Sequence, residues 1–222
     1  GFLPNMKRIL AKVPAQRQTL LFSATFEPRI RALALEIMRN PQQVQVTSNN
    51  VIADTIVHRA HPVDSGRKRD LLVDILSKRH TDRVLVFGKT KHGCNRLAEQ
   101  LEKAGLPAVA IHGNKSQAQR QKALDQFKSG KARILVATDV AARGLDIPNL
   151  PLVINHDLPM VAEDYVHRIG RTGRAGATGE ALSLVSPEEG ALLNQIQKML
   201  KAEIRMDVVA GYEPSRPIRL DA

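Results

Sequence analysis

Short runs of β-branched and other apolar residues alternate with amphipathic stretches along almost all of this 222-residue chain. QTLLFS (18–23), QQVQVT (42–47), TIVHRAHPV (55–63), RVLVFG (83–88), PAVAIH (107–112), ARILVAT (132–138), PLVINH (151–156) and EALSLVS (180–186) have the length and composition of strands. GRKRDLLVDILSKR (66–79), TKHGCNRLAEQLEKAG (90–105) and QAQRQKALDQFKSG (117–130) carry the period of helices, and Gly105 and Gly130 stand where C-terminal caps belong. Strand and helix in turn, with short connections, build βαβ units. The expected fold is therefore α/β, a parallel sheet with helices on both faces. In such a sheet the working residues gather in loops at the carboxyl ends of the strands.

The pattern breaks at TSNNVIADT (47–55), which is polar, carries an Asn-Asn pair and has no helical period, so a linker is expected there. Residues 1–46 hold too few βα units to bury a sheet, and 56–205 hold a full domain. Residues 206–222 turn polar and proline-containing and are expected to fade into a tail. Strands in 1–46 without partners would expose their edges and be disordered, loosely docked or paired with another chain, a route to dimers. The opening GFLPNMKRIL lacks an initiator methionine, as expected of a piece of a longer chain.

Thirty-three Lys and Arg against 22 Asp and Glu give a net charge of +11, which favours a polyanionic partner. Aromatic residues are 3% and Trp is absent, so a nucleic acid would be held by its sugar-phosphate backbone and not by base stacking. No apolar run approaches the roughly 18 residues of a membrane span, and no signal-peptide pattern opens the chain. The single Cys94 cannot form an internal disulfide and fits a reducing, cytoplasmic setting.

Several familiar chemistries fail on spacing. FGKTK (87–91) ends like a phosphate-binding P-loop, but Arg83 stands where that motif needs its first glycine, and the residues between form an apolar strand. His58 and His61, three apart on a strand, point to opposite faces and cannot share a metal ion. The stronger signals follow strands. ATDVAARGLDIP (137–148) packs Thr138, Asp139, Arg143 and Asp146 into one turn with Gly144. YVHRIGRTGR (165–174) sets Arg168, Arg171 and Arg174 at every third position between glycines, a pattern suited to phosphate because the guanidinium is a planar, permanently charged fork.

LLFSATF, VLVFGKTK, IHGNKSQAQR, VATDVAARGLDIP and YVHRIGRTGRAG, in that order, resemble the DEAD-box family of ATP-dependent RNA helicases, and within it the bacterial RhlE type. The resemblance implies the tail of a first RecA-like domain (1–46, with the SAT motif), the linker 47–55 and a second RecA-like domain over 56–205. It also implies ATP with Mg²⁺, held mainly by a first domain whose P-loop and D-E-A-D residues are not in this sequence. Arg171 and Arg174 are then arginine fingers for ATP hydrolysis, and Gly144 and Asp146 contact ATP. Thr90, Gly113, Arg120 and Thr138 bind RNA backbone, while Ser23, Thr25, Arg143 and His167 couple the two sites. Such a chain would be inactive without the first domain. The alternative is a stand-alone, sequence-indifferent RNA-binding module.

Overall fold

A computed structural model describes residues 3–23, 28–44, 56–79, 83–145, 147, 150–173 and 178–220. The chain divides into two compact units, residues 1–49 and 50–222. The described part of the first unit contains helices α1 (Leu3–Leu10) and α2 (Pro28–Ile37), and Ala34 is the one described residue on them that is buried. QTLLFS does not form a strand, contrary to its composition: Leu20 and Phe22 are 68% and 88% exposed. A strand is stabilised by neighbours on its edges, and no described segment of this unit supplies one. Of QQVQVT only 42–44 are described, as irregular chain; the linker at 47–55 lies outside the described residues.

The second unit is a seven-stranded parallel sheet: β1 (Ile56–Pro62), β2 (Val84–Phe87), β3 (Ala108–Ile111), β4 (Ile134–Ala137), β5 (Leu152–Asn155), β6 (Gly179–Val185) and β7 (Arg205–Met206). All but the two-residue β7 coincide with strands read from the sequence. The spatial order is β3-β4-β2-β5-β6-β1-β7, so β1 lies between β6 and β7, paired from Ile56 opposite Gly179 to Pro62 opposite Val185. The four central residues of β2, β4 and β5 are all buried, which is why these strands are continuous apolar runs in the sequence.

Helices cover both faces. Leu71, Leu72 and Leu76 of α3 (Lys68–Lys78) and Leu97 and Leu101 of α4 (Lys91–Lys103) pack on Val84, Val86, Val136 and Ile154. On the other face Leu124 and Phe127 of α5 (Gln117–Lys128), with the four-residue α6 (Asp139–Ala142), cover Leu85, Leu135 and Val153. Tyr165 and Ile169 of α7 (Ala162–Ile169) and Leu193 and Ile196 of α8 (Gly190–Leu200) cover Ala60, Ala181 and Val185. Thr90 caps α4 by accepting from Gly93 N at 2.9 Å, and Ser116 with Gln119 forms a capping box on α5. Gly105 and Gly130 follow those helices at φ +78°, the left-handed position a C-terminal cap requires.

The segment after β7 is not a loose tail. Tyr212 lies under the Arg67 guanidinium, 4.7 Å from its ring centre, and its hydroxyl donates to Asp70 O at 3.3 Å. Ser215 donates through its backbone and hydroxyl to Asp64, and Arg216 Nη2 reaches Glu188 Oε1 at 2.6 Å. Ile218 and Leu220 then pack against the α8 cluster. Polar composition hid a strap in which Val209, Tyr212, Ile218 and Leu220 meet the body. Gly190 opens α8 beneath this strap, and a Cβ there would stand 2.0 Å from Arg219 O. Helix propensity alone favours alanine over glycine by about 1 kcal/mol. Gly190→Ala is nevertheless expected to destabilise the chain by about 1–3 kcal/mol, because the strap must shift. Urea denaturation decides the sign, and a stabilised variant would mean that the strap does not dock there.

Candidate nucleic-acid interface

Because the sheet is parallel, the loops after its strands emerge along one edge. Phe87, Ala137 and Ile111 are in register across β2, β4 and β3, so the segments beginning at Gly88, Thr138 and His112 start level with one another. The expected RNA-binding residues Thr90, Thr138 and Gly113 lie on these three adjacent segments. The outer two are tied together: Lys91 Nζ donates to Asn114 Oδ1 at 3.0 Å and His112 Nε2 meets Asn95 Oδ1 at 2.8 Å. Arg120, in the first turn of α5, has a buried Nε with no hydrogen-bond partner among the described residues. The edge therefore presents a hydroxyl at a helix start, a glycine amide, a second helix-start threonine and an arginine, beside Lys89, Lys91 and Lys115. These groups suit phosphate oxygens.

Between β4 and β5 the chain crosses over β2, and a crevice at such a reversal is the usual place for a ligand. Here it is filled by Arg168. This side chain is 2% exposed. Its Nε and Nη2 bind the Asp139 carboxylate at 2.6 and 2.9 Å, and Nη1 donates to Asn155 Oδ1 at 3.0 Å and Asp157 O at 2.6 Å. The guanidinium also lies over the Phe87 ring, 4.9 Å from its centre. Of the three regularly spaced arginines, this one joins β2, β4, β5 and α7 and does not face a ligand. Asp139, too, serves this pair.

Arg171 lies beyond the end of α7 and donates from Nη1 to Leu145 O at 3.0 Å and from Nη2 to Ala142 O at 3.1 Å. Its guanidinium is thus carried by the turn that contains Gly144, whose φ of +73° only glycine adopts cheaply. Arg143 pairs with Asp164 on α7. His167 is half-buried on the same helix, and Ser23 belongs to the first unit. Thr25, Asp146 and Arg174 lie outside the described residues. His58 and His61 do point apart, to Tyr165 at 2.9 Å and Asp207 O at 2.6 Å. Among the described residues no three His, Cys, Asp or Glu side chains converge to hold a metal ion, and no helix is long and apolar enough to cross a membrane.

Sequence reasoning passed over Asp157. Burial works against its charge, but His156 at 3.3 Å, Lys68 at 3.8 Å and the Lys89 N–H at 2.9 Å outweigh burial and hold the carboxyl well below the usual carboxylate range. The one visible signal was an acidic residue two positions after the strand LVIN. Lys68, 3% exposed at the start of α3, left none.

The helicase conserved C-terminal domain matches residues 67–176. Escherichia coli DEAD-box protein SrmB, solved bound to the regulator of ribonuclease activity A, is 34% identical with a TM-score of 0.70 over 74% of this chain and 97% of that one. The chain belongs to the DEAD-box family. Saccharomyces cerevisiae Dbp5 bound to RNA and ADP BeF3 superimposes on this DEAD-box chain with a TM-score of 0.82 and 32% identity, over 94% of this chain and 55% of Dbp5. The DEAD-box ATP-dependent RNA helicase CshA of Geobacillus kaustophilus is 45% identical over 204 residues, 92% of this chain and 44% of CshA. The chain spans under half the length of the curated relatives it matches. The expected RecA-like sheet is the fold these DEAD-box relatives share.

Two consequences are measurable. Arg168→Met leaves the Asp139 carboxylate, Asn155 and a buried carbonyl unmatched and is expected to cost about 3 kcal/mol or more in chemical denaturation. Arg168→Lys should recover little, since one ammonium cannot span four acceptors. A variant as stable as the parent would remove Arg168 from its central place. His112 gives a pH signature. Burial, then the charges of Lys115, His92 and Lys91, hold its pKa below the ordinary 6.5. The unfolded chain therefore takes up the proton first as pH falls. The stability that neutral His112 contributes is present above about pH 6.5 and is lost as pH drops toward its folded value. Denaturation from about pH 7.5 to 5 should show that loss, and His112→Gln should flatten it.

Proposed function

We propose that this chain supplies the second RecA-like half of an ATP-dependent RNA helicase. The observation that carries the proposal is the meeting of Thr90, Gly113 and Thr138 on three adjacent strand ends beside Arg120, whose buried Nε no described residue satisfies. RNA backbone would lie along this edge, and phosphate contacts of this kind are indifferent to sequence. Local melting of a duplex would follow from gripping one strand's backbone in a shape that a regular helix does not match.

ATP would enter from the other side of the Arg168 crevice. In this proposal the phosphate cradle and the ligands for Mg²⁺ belong to the first RecA-like domain that the DEAD-box motifs imply. Arg171 and Arg174 would present charged donors to the terminal phosphate, where negative charge builds during hydrolysis. Groups of this kind are worth roughly 10³–10⁵ in turnover. The Gly144 turn would move together with Arg171, because its carbonyls hold that guanidinium. Asp146 would accept from the ribose. Ser23, Thr25, Arg143 and His167 would couple the ATP and RNA ends. The finer RhlE-type placement rests on the motifs alone. Cys94 is fully buried, and burial pushes its pKa up to about 12, so it is an inert core thiol in keeping with a reducing cytoplasm.

A second proposal, a stand-alone RNA-binding module, has one observation in its favour: every expected RNA contact lies in the second unit. One set of measurements separates the two. The chain is expected to bind single-stranded RNA with a salt slope corresponding to roughly two to four phosphates and little preference among homopolymers. Alone it should not turn over ATP. A longer protein containing the first domain should do so in an RNA-stimulated manner, and Arg174→Ala should reduce that turnover by roughly 10³ or more. RNA binding by the chain with no nucleotide dependence in the longer protein would favour the module. Turnover by the chain alone would overturn the helicase-half assignment.

A further inference from the structure

Asp157 stands where the two halves of the site meet, yet it has no part in the roles assigned above. Its backbone carbonyl accepts from Arg168 Nη1 at 2.6 Å, and its Oδ2 accepts from Lys89 N at 2.9 Å. Lys89 immediately precedes Thr90, the N-cap of α4. The residues on either side of Asp157 are pinned as well. Lys68 Nζ donates to His156 O at 2.9 Å, and Glu189 Oε1 accepts from Leu158 N at 3.1 Å. Lys68 and Glu189 bind each other, and Lys68 stands 3.8 Å from Asp157 Oδ1. The carboxylate is therefore a fixed post, held by a buried cation and by backbone bonds before and after it.

The turn that meets this post is built to come close. Gly88 is buried, and a Cβ there would fall 2.8 Å from Cys94 Sγ and 3.8 Å from Asp157 Oδ2. Lys89 and Thr90 themselves are exposed. Among the described residues, apart from the packing of Gly88, the Asp157 bond is the side-chain contact that holds this exposed turn to the body at Lys89. Thr90 Oγ1 already accepts from Gly93 N, which directs the hydroxyl proton away from the helix.

We propose that Asp157 is a positioning residue, whose carboxylate holds the Lys89–Thr90 turn in the shape that offers Thr90 and the first amides of α4 to an RNA phosphate, with Lys68 keeping that carboxylate in place. The proposal rests on the RNA-binding assignment for this edge. It adds a physical link: the same residue grips the RNA-side turn through its side chain and the Arg168 crevice through its backbone.

The full 222-residue chain tests this with Asp157→Ala, Asp157→Asn, Thr90→Ala and the Thr90/Asp157 double alanine variant, using fluorescein-labelled decauridylate and backbone amide exchange. Asp157→Ala is expected to weaken binding roughly 3- to 10-fold, the size of a lost supporting bond, and Asp157→Asn, which still accepts, to restore most of it. Since Asp157 acts through the turn that bears Thr90, the double variant should lose clearly less than the two single losses combined, the remainder reflecting the α4 amides; full additivity would overturn the proposal. So would an Asp157→Ala variant with lowered melting temperature and unchanged RNA affinity. If the parent chain binds no decauridylate, the RNA assignment fails by itself, and Lys89 amide exchange decides the positioning role. Exchange roughly tenfold or more faster in Asp157→Ala supports it, and unchanged exchange overturns it. Should Asp157→Ala not fold, the same readouts in Asp157→Ser, whose hydroxyl is one bond shorter than the carboxylate that reaches Lys89 N, decide.

Discussion

A guanidinium taken out of water must find acceptors for the N–H groups it carries, and Arg168 finds them by drawing three separate strand ends together. Asp139 follows β4, Asn155 ends β5, Asp157 follows it, and Phe87 ends β2 beneath the plane of the charge. Four acceptors around one planar fork leave little freedom for any of these elements to slide. The loops that bear Thr138, Thr90 and the Gly144 turn are built outward from this point. Removing the cation would leave a carboxylate and an amide facing each other in a crevice without a counter-charge.

Three arginines at equal spacing could have been three equivalent ligands for phosphate. Helix α7 divides them. Arg168 is within its last turn and on the face turned to the sheet; the helix ends at Ile169, and the chain breaks away at Gly170. Arg171 therefore falls on a different path and meets carbonyls of the neighbouring turn. The spacing sets where each side chain leaves the backbone, and the helix end sets which of them enters the core.

The sheet of the second unit was legible because its strands are buried on both faces and so have uninterrupted apolar sequences. The C-terminal caps at Gly105 and Gly130 were legible because glycine readily takes the left-handed conformation a helix end requires, whereas the Thr90 cap was not read. QTLLFS misled because an apolar run states only a willingness to be covered, and whether strands exist on either side is not written in it. The strap at 207–220 was hidden because Tyr212, Ile218 and Leu220 are scattered among polar residues and dock singly. At the site, Thr90, Gly113 and Thr138 could be placed from their strands, since register follows from the parallel sheet. The post in which buried Lys68 meets half-buried Asp157 and Glu189 could not. Its members come from α3, the end of β5 and the turn before α8, and nothing local announces that they meet.

The place of β1 in the sheet bears on how the domain is made. Its neighbours are β6 and β7, which the ribosome delivers more than a hundred residues after it. At ordinary elongation rates that is a wait on the order of ten seconds, during which a strand with two open edges has no native place to go. Strands β2 to β5 can pair among themselves in the meantime, since their contacts span shorter loops. The first strand of this unit is thus seated only once β6 has emerged. A chain stalled before Gly179 would hold a sheet that has assembled its middle and still displays both its unfinished edge and the segment meant to complete it.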